Sequence, residues 1–548
     1  MLAKSFQRSS SLPILRSHKN LRLLSTLKLN TTTSSYFKSH LEESAKPYVT
    51  PSFVNNTLFQ SSSNEWFDLH DPATNKVIAK VPQSTDQELE DAIATADKTF
   101  ESFKNVSIIK RQQMLFKYVR LLRENHDRLA SVIVLEQGKT FDDAKGDVLR
   151  GLQVAEYACS ITTELLGTNL EVSTDMETKM IREPIGVVGS ICPFNFPAMI
   201  PLWTIPLVIA TGNTTVVKPS ERVPGATMII AELAKEAGVP PGVINIIHGK
   251  HKTVNKIIKD PRIKAVTFVG SNRAGEYIYE TANALGKRVQ ANLGAKNHMI
   301  VLPDADKKQA ISGIIGSAFG AAGQRCMAIS VLVTVGDDAH SWIMPEIVAA
   351  AKALRVGSGF DPKSELGPVI SKQALSRAES IIEQSVSAGK ATLAIDGRGY
   401  RPEGFPEGYF IGPTILENVA LDAPCYTEEI FAPILSVVNV PTLSDAIKLV
   451  NANPYGNGVS LFTTNGIHAK KFERNIDVGQ VGINVPIPVP LPMFGFTGSR
   501  GSFLGDLNFY GKAGLWFMTK PKTITALWKT SLINENEGES VTSMPTHS

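Results

Sequence analysis

The stretch AAGQRCMAIS, residues 321–330, places Cys326 directly after Arg325 among small and apolar neighbours. A cysteine thiolate is a strong nucleophile toward a carbonyl carbon, and a nearby cation favours the ionised form. Cysteine is nevertheless more often a small buried residue than a nucleophile. A free thiol, with a pKa of about 8.5, is already partly ionised at mildly alkaline pH, and a nucleophilic site is expected to lower this pKa further or to supply a base. The nucleophile is therefore a hypothesis that other parts of the chain must support.

The remaining three cysteines, Cys159, Cys192 and Cys425, are widely spaced and form no CxxC pair. So few cysteines at such intervals are typical of free thiols in a reducing compartment and not of a disulfide framework. The ten histidines form no HExxH or comparable ligand pair. The sequence therefore predicts no metal site.

Polar residues follow three predicted buried strands. The strand VVGSI leads to Asn195, TTVV leads to Lys218 and Glu221, and VTFV leads into the turn GSNRAG at residues 270–275. Each has an ordinary alternative: a surface lysine, a helix-capping acid, or a glycine that relieves backbone strain. Their placement at successive strand ends is typical of a dinucleotide site, because ribose hydroxyls and phosphates need such donors and acceptors.

The elements that must position these residues are indicated by hydrophobic periodicity. Apolar residues recur at helical spacing over residues 86–125, which predicts a helical lead-in. From Ile185 onward, short β-branched runs alternate with helical ones, as in GVVGSICPF, NTTVVKPS, ATMIIAELAKEAG and GVINIIHG. This alternation predicts parallel βαβ units, and hence an α/β fold with a doubly wound sheet.

The charge of the chain is concentrated at its N terminus. The net charge is +4, and seven of the 56 basic residues precede the first acidic residue, Glu42. A basic, acid-free leader rich in serine and leucine predicts a mitochondrial transit peptide over residues 1–40 and a matrix location. A disordered tail is the alternative, and a secretory signal is disfavoured because no compact apolar run precedes a cleavage site.

The composition also bears on the class of partner. No basic stripe with interleaved aromatic residues follows the leader, so nucleic-acid binding has no support. The most apolar run, residues 196–210, contains Pro197, Pro201 and Pro206 and predicts a buried helix in place of a membrane span. At 548 residues, the chain is long enough for two or three domains.

Six motifs in a fixed order, ICPFNFP, VVKPSE, FVGSNRAG, ANLGAKNH, AAGQRCMA and EEIFAP, resemble the aldehyde dehydrogenase superfamily. The resemblance runs from about Ser52 to the C terminus, and NLGAKNH, GQRCMA, NPYGNG and the late MPTHS tail are most similar to a CoA-acylating branch. It implies the aldehyde dehydrogenase fold: a Rossmann-like NAD-binding domain, an α/β catalytic domain and a small β oligomerisation element.

The resemblance also implies a division of the chain. Residues 41–293 would form the NAD-binding domain, with oligomerisation strands near 170–183, and residues 294–485 the catalytic domain. Residues 486–548 would return to the cofactor domain and supply an oligomerisation strand and the C-terminal tail. A homotetramer is implied, with strands near 177–182 and 523–528 packed across subunits.

In the superfamily the cysteine of GQRC attacks the aldehyde, which gives that role to Cys326 and leaves the other cysteines without it. The asparagine of FNFP, here Asn195, would stabilise the oxyanion together with the Cys326 N–H. The resemblance implies NAD as cofactor, with Lys218 and Glu221 at the adenosine ribose and Glu429 and Phe431 at the nicotinamide ribose and ring. The full implied set of cofactor residues is Cys192, Phe194, Lys218, Glu221, Arg222, Gly270, Ser271, Leu293, Glu429 and Phe431. Glu221 favours NAD over NADP, because a carboxylate repels a 2′-phosphate.

One departure from hydrolytic relatives bears on the reaction. They carry glutamate in ELGGK where this chain carries Asn292 in NLGAK. An amide cannot act as a general base, so water is not activated at this position, and a thiol, coenzyme A in the acylating branch, is the expected acyl acceptor. We therefore expect an NAD-dependent, CoA-acylating dehydrogenase, with a hydrolytic NAD-dependent semialdehyde dehydrogenase as the alternative. A non-catalytic NAD-binding protein is disfavoured, since Cys326 and Asn195 are both present.

Two arginines are candidates for binding a substrate carboxylate. Arg325 adjoins the nucleophile, and Arg150 lies in DVLRGLQ, which the resemblance places at the substrate entrance. A guanidinium suits bidentate carboxylate binding. The alternative for each is an ordinary structural ion pair.

Overall fold

The structure is a computed structural model that describes residues 46–530. The predicted leader lies outside these residues, as do residues 531–548 of the predicted tail. Within the described range, no helix is both long and apolar enough to cross a bilayer. No group of three or more His, Cys, Asp or Glu side chains in residues 46–530 could hold a metal ion.

The chain alternates strands and helices along most of its length. The helices are α1 (Asp86–Phe103), α2 (Ile108–Glu124), α3 (His126–Gln137), α4 (Phe141–Ala158), α5 (Ile161–Glu164), α6 (Met199–Thr211), α7 (Gly225–Glu236), α8 (His251–Lys259), α9 (Asn272–Ala284), α10 (Lys307–Phe319), α11 (Gly336–Ala353), α12 (Lys372–Ser387), α13 (Pro424–Thr427), α14 (Leu443–Ala452), α15 (Gly466–Asn475) and α16 (Gly511–Phe517). The strands are β1 (Tyr48–Val49), β2 (Ser52–Val54), β3 (Thr57–Phe59), β4 (Trp66–His70), β5 (Val77–Pro82), β6 (Thr168–Ser173), β7 (Met176–Pro184), β8 (Val187–Ile191), β9 (Thr214–Lys218), β10 (Ile244–Ile246), β11 (Ile263–Val269), β12 (Arg288–Asn292), β13 (Asn297–Val301), β14 (Ile329–Val335), β15 (Thr392–Ile395), β16 (Thr414–Glu417), β17 (Ile434–Val440), β18 (Tyr455–Gly456), β19 (Gly458–Phe462), β20 (Gln480–Ile483), β21 (Ser499–Arg500), β22 (Phe503–Leu504) and β23 (Thr519–Leu527).

The predicted strands and helices between residues 185 and 286 are all present. They build an eight-stranded sheet in the order β22-β12-β11-β8-β9-β10-β2-β3, whose five central strands are parallel. The chain runs outward from β8 through β9 and β10, then returns to the other side of β8 with β11 and β12. The strand order therefore reverses between β8 and β11, which is where a doubly wound sheet binds its ligand. We call this the cofactor sheet.

A second, seven-stranded sheet follows in the order β15-β16-β17-β14-β13-β19-β20, with only the β15 and β16 pair antiparallel. Residues 293–296 connect the last parallel strand of the cofactor sheet to β13 in this catalytic sheet. Cys326 lies just before β14. The carboxyl end of the cofactor sheet therefore meets the amino end of the catalytic sheet, and the candidate residues gather at that junction.

Three strands form a separate small sheet in the order β23-β7-β6. β23 pairs with β7 over nine residues, from Thr519 opposite Pro184 to Leu527 opposite Met176. This sheet contains both segments expected to lie between subunits. Apolar side chains remain exposed on and beside it: Leu166, Leu170, Ile181, Leu527 and Trp528.

The run with three prolines forms α6, and every residue of that helix is buried, including Pro206. The expectation of a buried helix is therefore confirmed.

α4 begins at an N-cap, Thr140, whose side chain accepts from the Asp143 N–H. Asp143, Asp147 and Arg150 follow at positions i, i+4 and i+7 and share one face of α4. Of the three, Asp143 contacts the nucleophile loop, at Ala321 and Arg325.

Candidate active site

The loop that carries Cys326 has an unusual backbone. Ala321 and Ala322 adopt positive φ angles of 50° and 53°, which alanine rarely does. The Ala321 N–H donates to Asp143 Oδ2 at 2.8 Å, and the Gln324 side chain accepts from the Ile370 N–H at 2.9 Å. Such strain persists only where the surroundings impose it. The loop is therefore held in place by α4 and by the segment that precedes α12.

Cys326 is partly buried and packs against the core of the cofactor domain. Burial raises the pKa of its thiol to about 12, and the Glu429 carboxylate adds to this shift. The backbone N–H groups of Cys326 and Met327, together with Arg325, act in the opposite direction. The pKa is therefore raised, whereas the sequence reasoning expected the site to lower it or to supply a base. The protein environment favours the neutral thiol, so attack requires stabilisation of the thiolate.

Asn195 follows β8 in the loop that enters α6, and it is buried. Its carbonyl accepts from the ammonium of Lys139 at 2.6 Å, and Lys139 lies 3.3 Å from Asp147 Oδ2. The other oxygen of Asp147 accepts from the Met199 N–H at 2.7 Å. The side-chain amide of Asn195 makes no hydrogen bond within residues 46–530, so it remains available as a donor to an oxyanion.

Lys218, the last residue of β9, and Glu221, three positions later, lie together. Nζ of Lys218 donates to the carbonyls of Pro219 at 2.7 Å and Gly249 at 3.0 Å, and it lies 3.7 Å from Glu221 Oε2. Burial lowers the pKa of Lys218, and Glu221 opposes the shift. Lys218 is buried, whereas Glu221 is only half-buried. The pair therefore presents a donor and an acceptor at the sheet edge, which suits ribose hydroxyls.

The turn after β11 leads directly into α9. Ser271, at the N-cap, makes no side-chain capping hydrogen bond, so the first N–H groups of this 13-residue helix remain available. A Cβ on Gly275 would lie 1.9 Å from Leu293 Cδ2, so only glycine allows α9 to pack this closely on the end of β12. A free helix N terminus beside a glycine packing contact fits a pyrophosphate. The residues present thus fit a dinucleotide.

Glu429 and Phe431 lie in the loop after α13 and line a cleft together with Cys326 and Arg325. Glu429 Oε1 accepts from the Ala295 N–H at 2.9 Å, and burial raises the pKa of this carboxyl. Phe431 has a φ of 61°, and its ring contacts Phe194 edge to face at 5.8 Å between centroids. The aromatic contact joins this loop to the loop after β8.

Two cations hold the Glu429 loop in this strained form. Nζ of Lys296 donates to the carbonyls of Cys425 at 2.6 Å and Glu428 at 2.7 Å, and burial lowers its pKa to about 8. Arg377 donates to the carbonyl of Glu429 at 2.8 Å. Neither cation was identified from the sequence, although Lys296 lies within the NLGAK motif.

For the remaining predicted cofactor residues, the structure gives mainly backbone contacts. Cys192 is buried at the end of β8, where its N–H donates to the Lys218 carbonyl at 3.0 Å, and burial raises the pKa of its thiol to about 11. Gly270 donates its N–H to the Asn292 carbonyl at 3.1 Å. Arg222 is exposed beside Glu221, and within residues 46–530 it is hydrogen-bonded only through its backbone N–H, which donates to Ser220 Oγ at 3.3 Å.

Asn292 ends β12 and is fully buried. Its Nδ2 donates to Asn457 Oδ1 at 3.1 Å and points at the Ser502 carbonyl at 3.4 Å. Its Oδ1 has no hydrogen-bond partner among the described residues. The side chain is therefore anchored on its donor side, and only its acceptor is free.

The two candidate arginines differ in the partners of their guanidinium groups. Arg325 forms an ion pair with Asp143 and donates to the Gly316 carbonyl at 3.2 Å, which is the structural alternative considered for it. Arg150 forms no salt bridge within residues 46–530 and has one weak hydrogen bond, to Gln153 Oε1 at 3.3 Å. Tyr510 lies within electrostatic range of both Arg150 and Cys326. Of the two candidates, Arg150 is therefore the one whose guanidinium donors are largely unpaired among the described residues.

Comparisons with known proteins identify the family of this chain. The model of the aldehyde dehydrogenase family matches residues 59–524. The methylmalonate-semialdehyde/malonate-semialdehyde dehydrogenase [acylating], mitochondrial, of Bos taurus is 52% identical over 478 residues, covering 87% of this chain and 88% of that protein. The human protein of the same name is also 52% identical over 478 residues and covers 87% of this chain and 89% of its own length.

Two solved structures share the fold. The methylmalonate-semialdehyde dehydrogenase of Oceanimonas doudoroffii has a TM-score of 0.87 at 40% identity, covering 89% of this chain and 100% of that one. A Sinorhizobium meliloti 1021 protein assigned to the same activity, solved in complex with NAD, has a TM-score of 0.88 at 39% identity with the same coverage. The resemblance seen in the six motifs is confirmed, and this chain belongs to the aldehyde dehydrogenase family.

Proposed function

We propose that the protein oxidises methylmalonate semialdehyde, and malonate semialdehyde, to propionyl-CoA and acetyl-CoA with reduction of NAD and release of CO2. The observation that carries this proposal is Asn292, a buried amide at the position where hydrolytic relatives place a general base. The names of the relatives, which include the word acylating, support it. The loss of CO2 and a place in valine and pyrimidine catabolism rest on the resemblance alone.

The first half of the reaction follows from the groups around Cys326. The sulfur adds to the aldehyde carbon, and the N–H groups of Cys326 and Met327 favour its thiolate form. The amide of Asn195 and the Cys326 N–H would hold the oxyanion of the thiohemiacetal. Lys218, Glu221, the N terminus of α9 and Glu429 would hold NAD, which when bound accepts the hydride. Re-formation of the carbonyl as hydride leaves gives a thioester on Cys326.

The second half requires an acyl acceptor. Asn292 has no proton-accepting group comparable to a carboxylate, so water near the thioester is not deprotonated there. The C–C bond to the substrate carboxylate breaks in the thioester, CO2 leaves, and the carbanion that remains takes up a proton. A thiol ionises more readily than water, and we infer that the thiol of coenzyme A then attacks this thioester and releases Cys326. The acyl group leaves as acyl-CoA, and the thiolate of Cys326 is restored.

A single assay tests this function. With methylmalonate semialdehyde, NAD and CoA, we expect propionyl-CoA and NADH in equal amounts, measured by mass spectrometry and absorbance. Omitting CoA should reduce steady NADH formation to little beyond one acylation per site. Free acid formed steadily without CoA would instead support the hydrolytic alternative.

We further infer that Arg150 binds the substrate carboxylate, because it has free donors whereas Arg325 is paired with Asp143. Arg150→Leu should raise KM for methylmalonate semialdehyde by roughly tenfold or more, the value of a charge-assisted hydrogen bond, and should affect propionaldehyde much less. Arg325→Leu, the matched comparison, should lower kcat for both aldehydes alike through the nucleophile loop. Equal losses for both aldehydes in Arg150→Leu would remove it from the carboxylate site.

We propose a mitochondrial matrix location and a homotetramer. The basic leader and the mitochondrial names of the relatives support the first. The exposed apolar residues on the β23-β7-β6 sheet, including Trp528 with 74% of its surface exposed, support assembly through that sheet. The domain limits at residues 293 and 485 rest on the family resemblance and remain predictions.

A further inference from the structure

Two buried asparagines donate to the main-chain carbonyl of Cys326, and a third buried asparagine donates to one of these two. Nδ2 of Asn297 donates to the Cys326 carbonyl at 2.8 Å, and Nδ2 of Asn457 donates to the same carbonyl at 2.9 Å. Asn292 donates to Oδ1 of Asn457 at 3.1 Å. Each of the three is at most 2% exposed. We call Asn292, Asn297 and Asn457 the asparagine cluster.

The asparagine cluster connects three strands. Asn292 ends β12 of the cofactor sheet, Asn297 begins β13, and Asn457 directly precedes β19. Oδ1 of Asn297 accepts from the Gly458 N–H at 3.0 Å. Buried, hydrogen-bonded amides have little freedom to reorient. The cluster therefore fixes the Cys326 carbonyl relative to both sheets.

The bonds to this carbonyl have a consequence for the sulfur. The Cys326 carbonyl and the Met327 N–H belong to one peptide group, and that N–H is among the donors that favour the thiolate. A hydrogen bond accepted by the carbonyl polarises the peptide group and strengthens its N–H as a donor. Loss of a donor at the carbonyl should thus make the thiolate less stable.

We propose that Asn457, oriented by Asn292, is a positioning residue that fixes and polarises the peptide group between Cys326 and Met327. This inference rests on the proposed role of Cys326 as nucleophile. The other charged or titratable groups that act on the sulfur are Glu429 from the loop after α13, Arg325 beside it, and Tyr510 from the residue before α16. Within the described chain, none of these is hydrogen-bonded to Asn457.

The test is the rate at which iodoacetamide alkylates Cys326 in the full chain, followed by the mass of the peptide that contains it. At pH 8, Asn457→Ser should slow this alkylation by about three- to tenfold, because a serine hydroxyl is too short to replace the amide. Raising the pH should restore the rate, since alkylation requires the thiolate. Asn245→Ser is the matched control: Asn245 is equally buried and donates to the carbonyls of Gly242 and Thr215 in the cofactor sheet.

A second variant tests the role of Asn292 and covers the case in which Asn457→Ser folds poorly. Asn292→Ala should slow alkylation by about two- to fivefold, because Asn457 loses its orienting donor. The double variant should react no more slowly than Asn457→Ser alone, since both act through one contact. Unchanged alkylation in both single variants, equal slowing in Asn245→Ser, or additive effects would overturn the proposal. Alkylation is measured without turnover, so a negative result would contradict the role of Asn457 without contradicting the proposed function. The activity of Cys326→Ala tests separately whether Cys326 is the nucleophile.

Discussion

Cys326→Ala is expected to lower NADH formation by roughly a thousandfold or more, since no other group can form the thioester. The substitution removes one sulfur atom from a partly buried position, so the fold and the cofactor residues after β8, β9 and β11 should be undisturbed. NAD binding, measured by calorimetry, should therefore change little. The loss should be in kcat, and added CoA should not restore it.

Cys159→Ala is the matched control for this result. Cys159 is also partly buried, but it lies at the C-cap of α4, where its thiol donates to the Ala155 carbonyl at 3.4 Å. We expect this variant to keep its activity. If Cys326→Ala retained even a tenth of the parent turnover, the nucleophile would have to be another group, and the thioester mechanism would fail with it.

The features predicted from the sequence are those that local pattern determines. Alternating β-branched and helical runs predicted the strands from β8 to β11, and the positions of Lys218, Glu221 and the Ser271 turn placed these residues at the carboxyl ends of strands in one sheet. Parallel strands bring their carboxyl ends to one edge, so position along the chain was enough to place these groups in space. The same reasoning placed Asn195 beside the cofactor edge.

Contacts between distant segments could not be obtained in this way. Asp143 and Arg325 are 182 residues apart, and Asn457 and Cys326 are 131 residues apart. Nothing in the sequence near Arg325 reveals that its guanidinium is already paired. The sequence of α4 contains a weak indication of this pairing, because Asp143, Asp147 and Arg150 share one helix face. Two carboxylates and a guanidinium on one face indicate that the face pairs with charged residues elsewhere in the chain.

The raised pKa of Cys326 also could not be predicted from the sequence. Burial and the Glu429 carboxylate, 103 positions further along the chain, set its direction. The sequence predicted which chemical group acts as the nucleophile, but not the direction of its pKa shift. The backbone N–H groups of Cys326 and Met327, together with Arg325, oppose this rise in pKa.

The environment of Asn292 determines what a carboxylate would do at the same position. The amide donor of Asn292 faces two acceptors, Asn457 Oδ1 at 3.1 Å and the Ser502 carbonyl at 3.4 Å. A carboxylate oxygen in that place would face them without a proton to share. Both this repulsion and full burial raise the pKa of a carboxyl group. A glutamate introduced here should therefore be neutral at pH 7 and ionise only as the pH rises.

Asn292→Glu is accordingly expected to produce a CoA-independent hydrolase whose activity increases with pH. A positioned general base contributes roughly 10²- to 10⁴-fold to a proton-transfer step, so hydrolysis of the thioester should compete with CoA once the carboxyl group is ionised. Steady NADH formation and free acid, measured without CoA from pH 7 to 10, report this directly. Asn292→Gln is the matched control, because it has the same length and no basic oxygen, and it should release no free acid beyond the parent. If Asn292→Glu showed no hydrolysis at any pH, or if Asn292→Gln hydrolysed equally well, the identity of residue 292 would not be what separates thiolysis from hydrolysis.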